Sequence, residues 1–109
     1  MKTQHASLSE KQWQTLSLYE QLGNIGSEVN RVMRWQGKDQ DSFENAVDRA
    51  LELFDLTLAD SRWQGRRKEI ARAREVFCDA VLGGKEYKSL LSDLNQYFYW
   101  FALAARNKK

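Results

Sequence analysis

The sequence predicts an all-α fold: an antiparallel bundle of four main helices with a short extra helix at the N-terminal end. Three observations carry this. Four segments have apolar residues recurring every three or four positions, the helical period. No stretch sustains the apolar/polar alternation of a half-buried strand beyond a few residues. Proline is absent, and the breaks between segments are short, which favours antiparallel neighbours. At 109 residues there is room for one domain. A hydrophobic share of 42% is an ordinary globular composition. Residues 1–8 read as a flexible tail and residues 9–106 as the single domain.

The elements follow in order. Ser9 is a plausible N-cap, with Gln12 three residues on. A second capping box, Ser17-Leu18-Tyr19-Glu20, favours a kink near Ser17 over one unbroken helix to Gln36. From there Leu18, Leu22, Ile25, Val29 and Val32 form a 4-3-4-3 seam, flanked by Tyr19, Gly26 and Met33. Gly26 lies on the inner side, where a missing Cβ lets another helix come close. Gly37 stops this helix as a C′ residue.

Asp41-Ser42-Phe43-Glu44 reads as the next start. Its stripe is Phe43, Val47, Ala50, Leu51, Phe54 and Leu58, ending near Ala59. Asp60 to Gly65 is a turn, with Trp63 tucked onto the core. The third helix spans about Arg66–Leu82, with Ile70, Ala73, Val76, Phe77, Ala80 and Val81 inward. Gly83-Gly84 is the strongest stop signal in the chain. The last helix runs from about Glu86 to Arg106, re-capped at Ser89 or Ser92, with Leu91, Leu94, Phe98, Phe101 and Ala105 inward.

Three runs resemble a family of short, about 110-residue, all-helical prokaryotic proteins without an assigned function. They are Ser17 to Val29 (SLYEQLGNIGSEV), Arg49 to Thr57 (RALELFDLT), and the tail Tyr97-Phe98 to Ala102 with Ala104-Ala105-Arg106. The likeness covers about Leu8 to Arg106. It implies a helical fold and transfers no site.

Composition narrows the functional classes. Net charge is +2, too balanced to argue for nucleic acid on its own. Cys78 is the only cysteine and lies in an apolar helical stretch, which fits a small core residue in a reducing, cytoplasmic setting. Met1–Glu10 is too polar for a signal peptide. The longest mostly apolar run, Tyr97–Ala105, falls far short of the ~20 residues that span a bilayer.

Catalytic chemistry has little to work with. His5 is the only histidine and sits in the tail, which disfavours histidine metal sites, Ser-His-Asp arrangements and Cys-His pairs. Glu69 and Glu75 around Arg72 do not make the dense inward carboxylate pair of a magnesium site. Gly83-Gly84-Lys85-Glu86 is a turn, not a phosphate-cradling loop. The reading is therefore non-enzymatic, with no catalytic or metal residue and no cofactor.

Three constellations remain. Asn24, Glu28, Arg31 and Trp35 share one helix face at 4-3-4 spacing, beside the apolar seam. They could hold a polar ligand or a partner's charged groups; the bland reading is an intrahelical Glu–Arg pair. The block Tyr97-Phe98-Tyr99-Trp100-Phe101 turns through about 400°, so it cannot all face one core. Tyr97, Tyr99 and Trp100 are the candidate interface, for a homodimer or a protein partner. The bland reading is a helix buried on two sides. The basic run Arg62, Arg66, Arg67, Lys68, Arg72, Arg74 faces an acidic preceding helix, with Asp41, Glu44, Asp48, Glu52, Asp55 and Asp60. Pairing across the seam explains it structurally.

The leading expectation is a helical interaction module that self-associates or docks on a protein partner. The alternative is an accessory subunit binding nucleotide or nucleic acid for a separate enzyme, with Arg31, Arg66, Arg67 and Arg74 on phosphates.

Overall fold

The computed structural model describes residues 10–83 and 91–107, and of Asn107 only the backbone. The tail 1–8, the Ser9 cap, the start at Glu86, Gly84 and Ser89 lie outside the described residues. The described chain is an all-helical bundle. In order it forms α1 (Glu10–Trp13), α2 (Leu18–Trp35), α3 (Gln40–Leu58), a 3-10 helix (Ser61–Arg66), α4 (Arg67–Val81) and α5 (Leu91–Asn107).

The chain breaks where the second capping box predicts. Ser17 is the N-cap of α2: its hydroxyl accepts from the Glu20 N–H, and the Glu20 carboxylate accepts from the Ser17 N–H at 2.8 Å. Gly37, at φ +76°, reverses the chain beyond α2. One boundary differs from expectation. The cap of α3 is Asp39, two residues before Asp41, with extended backbone and its carboxylate on the N–H and hydroxyl of Ser42. Gly37 already completes the turn, so the helix begins at once. The expected 60–65 turn is a 3-10 helix capped by Asp60.

α2 is the axis of the fold, packed most extensively against α5 on one side and α3 on the other. Facing pairs run in opposite directions: Gly23 meets Ala102, Gly26 meets Phe98, and Asn30 hydrogen-bonds Asn95. Hence α2 and α5 are antiparallel. The predicted α2 seam is buried throughout, and Ile25, Val29 and Val32 lose all exposure. Phe54 stands at the centre, 5.8 Å ring to ring from both Phe77 and Phe98, so it ties α3 to α4 and α5.

The stripe of α3 is rotated from the predicted one by about two-thirds of one residue's turn of about 100°. Ala46, Ala50, Leu53, Phe54 and Thr57 are buried, while Phe43, Val47, Leu51 and Leu58 are only half-buried. α1 lies on the second half of α3 and sets the Trp13 indole over Thr57. Cys78, read as a core residue, is half-buried.

Candidate functional site

Four polar or aromatic regions compete for a functional role. The first joins α1, α2, α3 and the 3-10 helix at one end of the bundle. Gln21 has no exposed surface. Its amide N–H groups donate to the Trp13 carbonyl at 2.9 Å and to Asp60 at 3.1 Å, and its oxygen accepts from the Trp63 indole at 2.9 Å. Asp60, 2% exposed, also accepts from the Arg62 backbone N–H, Nε and Nη2. Arg62 reaches on to the Leu16 carbonyl at 2.7 Å, and its guanidinium lies 4.4 Å from the Trp63 ring centroid. The Arg62 hydrogen bonds, against the opposing effect of burial, hold the Asp60 carboxyl down at about 2. Every polar atom of Gln21 and both oxygens of Asp60 are in use. This region is a structural clasp that leaves no atom for a ligand.

The second region is the stripe Asn24, Glu28, Arg31, Trp35. It forms one line along α2 but in mixed environments. Glu28 is buried, not merely beside the seam: it is 5% exposed. Arg31 Nη1 donates to Glu28 Oε2 at 2.9 Å, the predicted intrahelical pair. Glu28 Oε1 is buried and has no hydrogen-bond partner among the described residues. Leaving a buried acceptor unmade costs about 1–3 kcal/mol, more for a charged one. Asn24 turns its amide back to the Glu20 carbonyl. Trp35 is 36% exposed at the far end.

Glu28 and Arg31 stand between two clefts. One, of about 310 Å³, lies toward α1 and includes Trp13, Leu16, Asn24 and Leu53. The other, of about 300 Å³, opens between the second half of α2 and the first half of α3, and includes Trp35, Ser42, Asn45 and Arg49.

The third region is the basic run, and the structure scatters it. Arg66 pairs with Glu69 at 2.9 Å, one turn away on its own helix. Arg74 crosses to Asp55 on α3 at 3.0 Å, the cross-seam pairing that the charge pattern suggests. Arg62 belongs to the clasp. Arg67 is exposed, with no ion pair among the described residues. Three of the run's cations, Arg62, Arg66 and Arg74, are thus each paired with a carboxylate.

The fourth region is the aromatic block of α5. Tyr97 does not face outward. Its ring packs edge-on against Phe98 and Phe101, at 5.0 and 5.2 Å, and its hydroxyl donates to Glu69 on α4 at 3.0 Å. Burial, reinforced by Glu69, pushes its pKa up to about 12. Tyr97 is half-buried, so less of it is open to a partner than of its neighbours Tyr99 and Trp100. Tyr99 and Trp100 remain outside, 48% and 59% exposed, their rings 5.8 Å apart. Tyr99 borders a shallow groove of about 200 Å³ between α2 and α5.

No group of three or more His, Cys, Asp or Glu side chains among the described residues is placed to hold a metal ion. No helix among the described residues is long and apolar enough to cross a membrane. No family model, curated protein or solved structure matches the chain.

Sequence reasoning missed the clasp. Gln21 falls three residues after Leu18 and one before Leu22, inside the apolar arc, and that position was the available signal.

Proposed function

We propose that this protein is a helical interaction module that self-associates through the outer face of α5. The observation that carries the reading is the exposed Tyr99-Trp100 pair, two large aromatics side by side in solvent on a helix whose inner face is already occupied. Aromatic anchors of this kind are enriched at the centres of protein interfaces.

Charge placement favours a second copy as the occupant. Between residues 91 and 107 only Asp93 and Arg106 are charged. They lie six residues before Tyr99 and six after Trp100. A two-fold axis at the aromatic pair sets two α5 helices antiparallel, with aromatics at the middle. Each end then holds one Asp93 and one Arg106, so no like charges meet. The phosphate-binding alternative has less support, because Arg66 and Arg74 are already in ion pairs and carboxylates adjoin them.

Light scattering or sedimentation velocity across micromolar concentrations tests this. The wild type shifts from monomer to dimer as concentration rises. Trp100→Ala weakens the dimer by about 2 kcal/mol, roughly thirtyfold, and leaves the thermal midpoint of the monomer nearly unchanged. A chain that stays monomeric, or a dimer indifferent to Trp100→Ala, refutes self-association through this face.

A further inference from the structure

The helix α3 sorts its charges by side. It carries five acidic residues, Asp41, Glu44, Asp48, Glu52 and Asp55, and none of them borders the cleft between α2 and α3. Its one arginine, Arg49, does, together with Asn45 one turn before it. Arg49 is half-buried, and neither side chain makes an ion pair or hydrogen bond among the described residues. From α2, Arg31 borders the same cleft with half of its side chain exposed; one N–H is on Glu28, and a guanidinium has five. Glu28, the one acidic residue at the cleft among those described, is buried and offsets part of the Arg31 charge. Arg49, Asn45 and Trp35 border this cleft and not the one toward α1. The short 36–39 link sets the start of α3 beside Trp35, and Arg49 lies two turns beyond Ser42. The cleft therefore has an aromatic end at Trp35 and a cationic end at Arg49, with Arg31 between them.

We propose that this cleft binds a small aromatic carboxylate, its carboxylate on Arg49 and Arg31 with an N–H from Asn45, and its ring against the Trp35 indole. Charge selects the head group. Glu28, Arg31 and Arg49 sum to +1, so a monoanion neutralises the cleft. A carboxylate also matches the planar fork of a guanidinium with paired N–H···O bonds. Trp35 selects the body: its indole is 36% exposed and offers a flat apolar face to a ring. The size agrees. About 300 Å³ is the volume of roughly ten waters, which suits a ligand of about ten non-hydrogen atoms. Two turns of helix rise about 10 Å, the length of a ring with a short carboxylate arm. The site is separate from α5 and does not depend on self-association.

The test titrates the full chain with phenylacetate, with its neutral counterpart phenylacetamide, and with acetate, which lacks the ring. Amide chemical shifts give the affinities and locate the site. Phenylacetate binds with a dissociation constant of about 0.1–1 mM, the range expected for a ligand this small in an open cleft, and shifts the amides around Arg31, Trp35 and Arg49. Phenylacetamide and acetate each bind at least tenfold more weakly. Arg49→Gln weakens phenylacetate at least tenfold and leaves the thermal midpoint close to the wild type, since Arg49 makes no ion pair among the described residues. Trp35→Ala weakens it at least threefold. Absence of phenylacetate binding at about 10 mM, phenylacetamide or acetate binding as tightly as phenylacetate, or shifts confined to another part of the chain overturns the proposal. So does an Arg49→Gln or Trp35→Ala protein, folded by its amide spectrum, that keeps the wild-type affinity.

Discussion

Gly26→Ala puts the close approach of α2 and α5 to the test. In an exposed helix interior this change stabilises by about 1 kcal/mol, because alanine loses less backbone entropy. Here the new Cβ would stand 2.5 Å from the Cβ of Phe98. Two carbons settle near 3.5–4.0 Å, so α2 and α5 must part by about 1 Å or more at this point. No rotamer relieves the clash, because a Cβ moves only with its backbone. Phe98 is fully buried and in edge contact with Phe54, so the displacement spreads into the centre of the core. Overpacking of this kind costs about 1–3 kcal/mol and more when backbones must move. Setting about 3 against the gain of about 1 leaves a net loss of about 2 kcal/mol. For a chain of this length that lowers the thermal midpoint by about 9 °C. Differential scanning calorimetry reads it directly. Gly65→Ala is the control, since its added Cβ meets nothing within 4 Å. A Gly26→Ala midpoint equal to or above the wild type would falsify the close-approach reading.

Three further outcomes follow from the polar contacts. Asp60→Asn lowers stability at neutral pH by about 2–4 kcal/mol in urea unfolding, because the Arg62 donors lose their charged acceptor. With its pKa held at about 2, below the ordinary 3.8, Asp60 contributes about 2 kcal/mol that is complete above pH ~4 and lost as pH falls toward 2; an Asp60→Asn acid limb as steep as the wild type's contradicts this. Thr57→Val strands the Trp13 indole N–H and costs about 1–3 kcal/mol, while the double change with Trp13→Phe costs clearly less than the sum of the two singles. In absorbance titration one of the four tyrosines ionises near pH 12, and Tyr97→Phe removes that late step. The neutral Tyr97 contributes stability below pH 10 that disappears as pH rises from 10 to 12, and four tyrosines titrating together near 10 would contradict the buried placement.

Much of the bundle was readable from periodicity, because burial on one side of a helix imposes a spacing that survives in a single sequence. The α2 seam from Leu18 to Val32, the break at Ser17 and the inward Gly26 are all of this kind. The rotation of α3 was not readable. It depends on how α3 seats against its neighbours α1, α2 and α4, which its own spacing does not record. The clasp escaped for a related reason: Gln21 and Asp60 are 39 positions apart, Trp13 lies 8 further back, and only the fold makes them neighbours. The Asn24-Glu28-Arg31-Trp35 line was visible as spacing, but the unmatched oxygen of Glu28 was not, since that property belongs to the surroundings. In the aromatic block, angular crowding showed that some rings must point away from the core. Choosing Tyr99 over Tyr97 required knowing that Glu69 of α4 waits beside the Tyr97 hydroxyl.

The clasp also constrains how this protein can change over generations. The Gln21 side chain answers to three different elements at once, so no replacement at positions 13, 21, 60, 62 or 63 is judged alone. A drifted lineage must exchange several of these residues together, for instance trading the whole polar set for aliphatic ones, or keep them all. Descendants should therefore fall into two groups at these sites with few intermediates between them, and a laboratory library that varies them one by one would report intolerance where a combinatorial one would find a second solution.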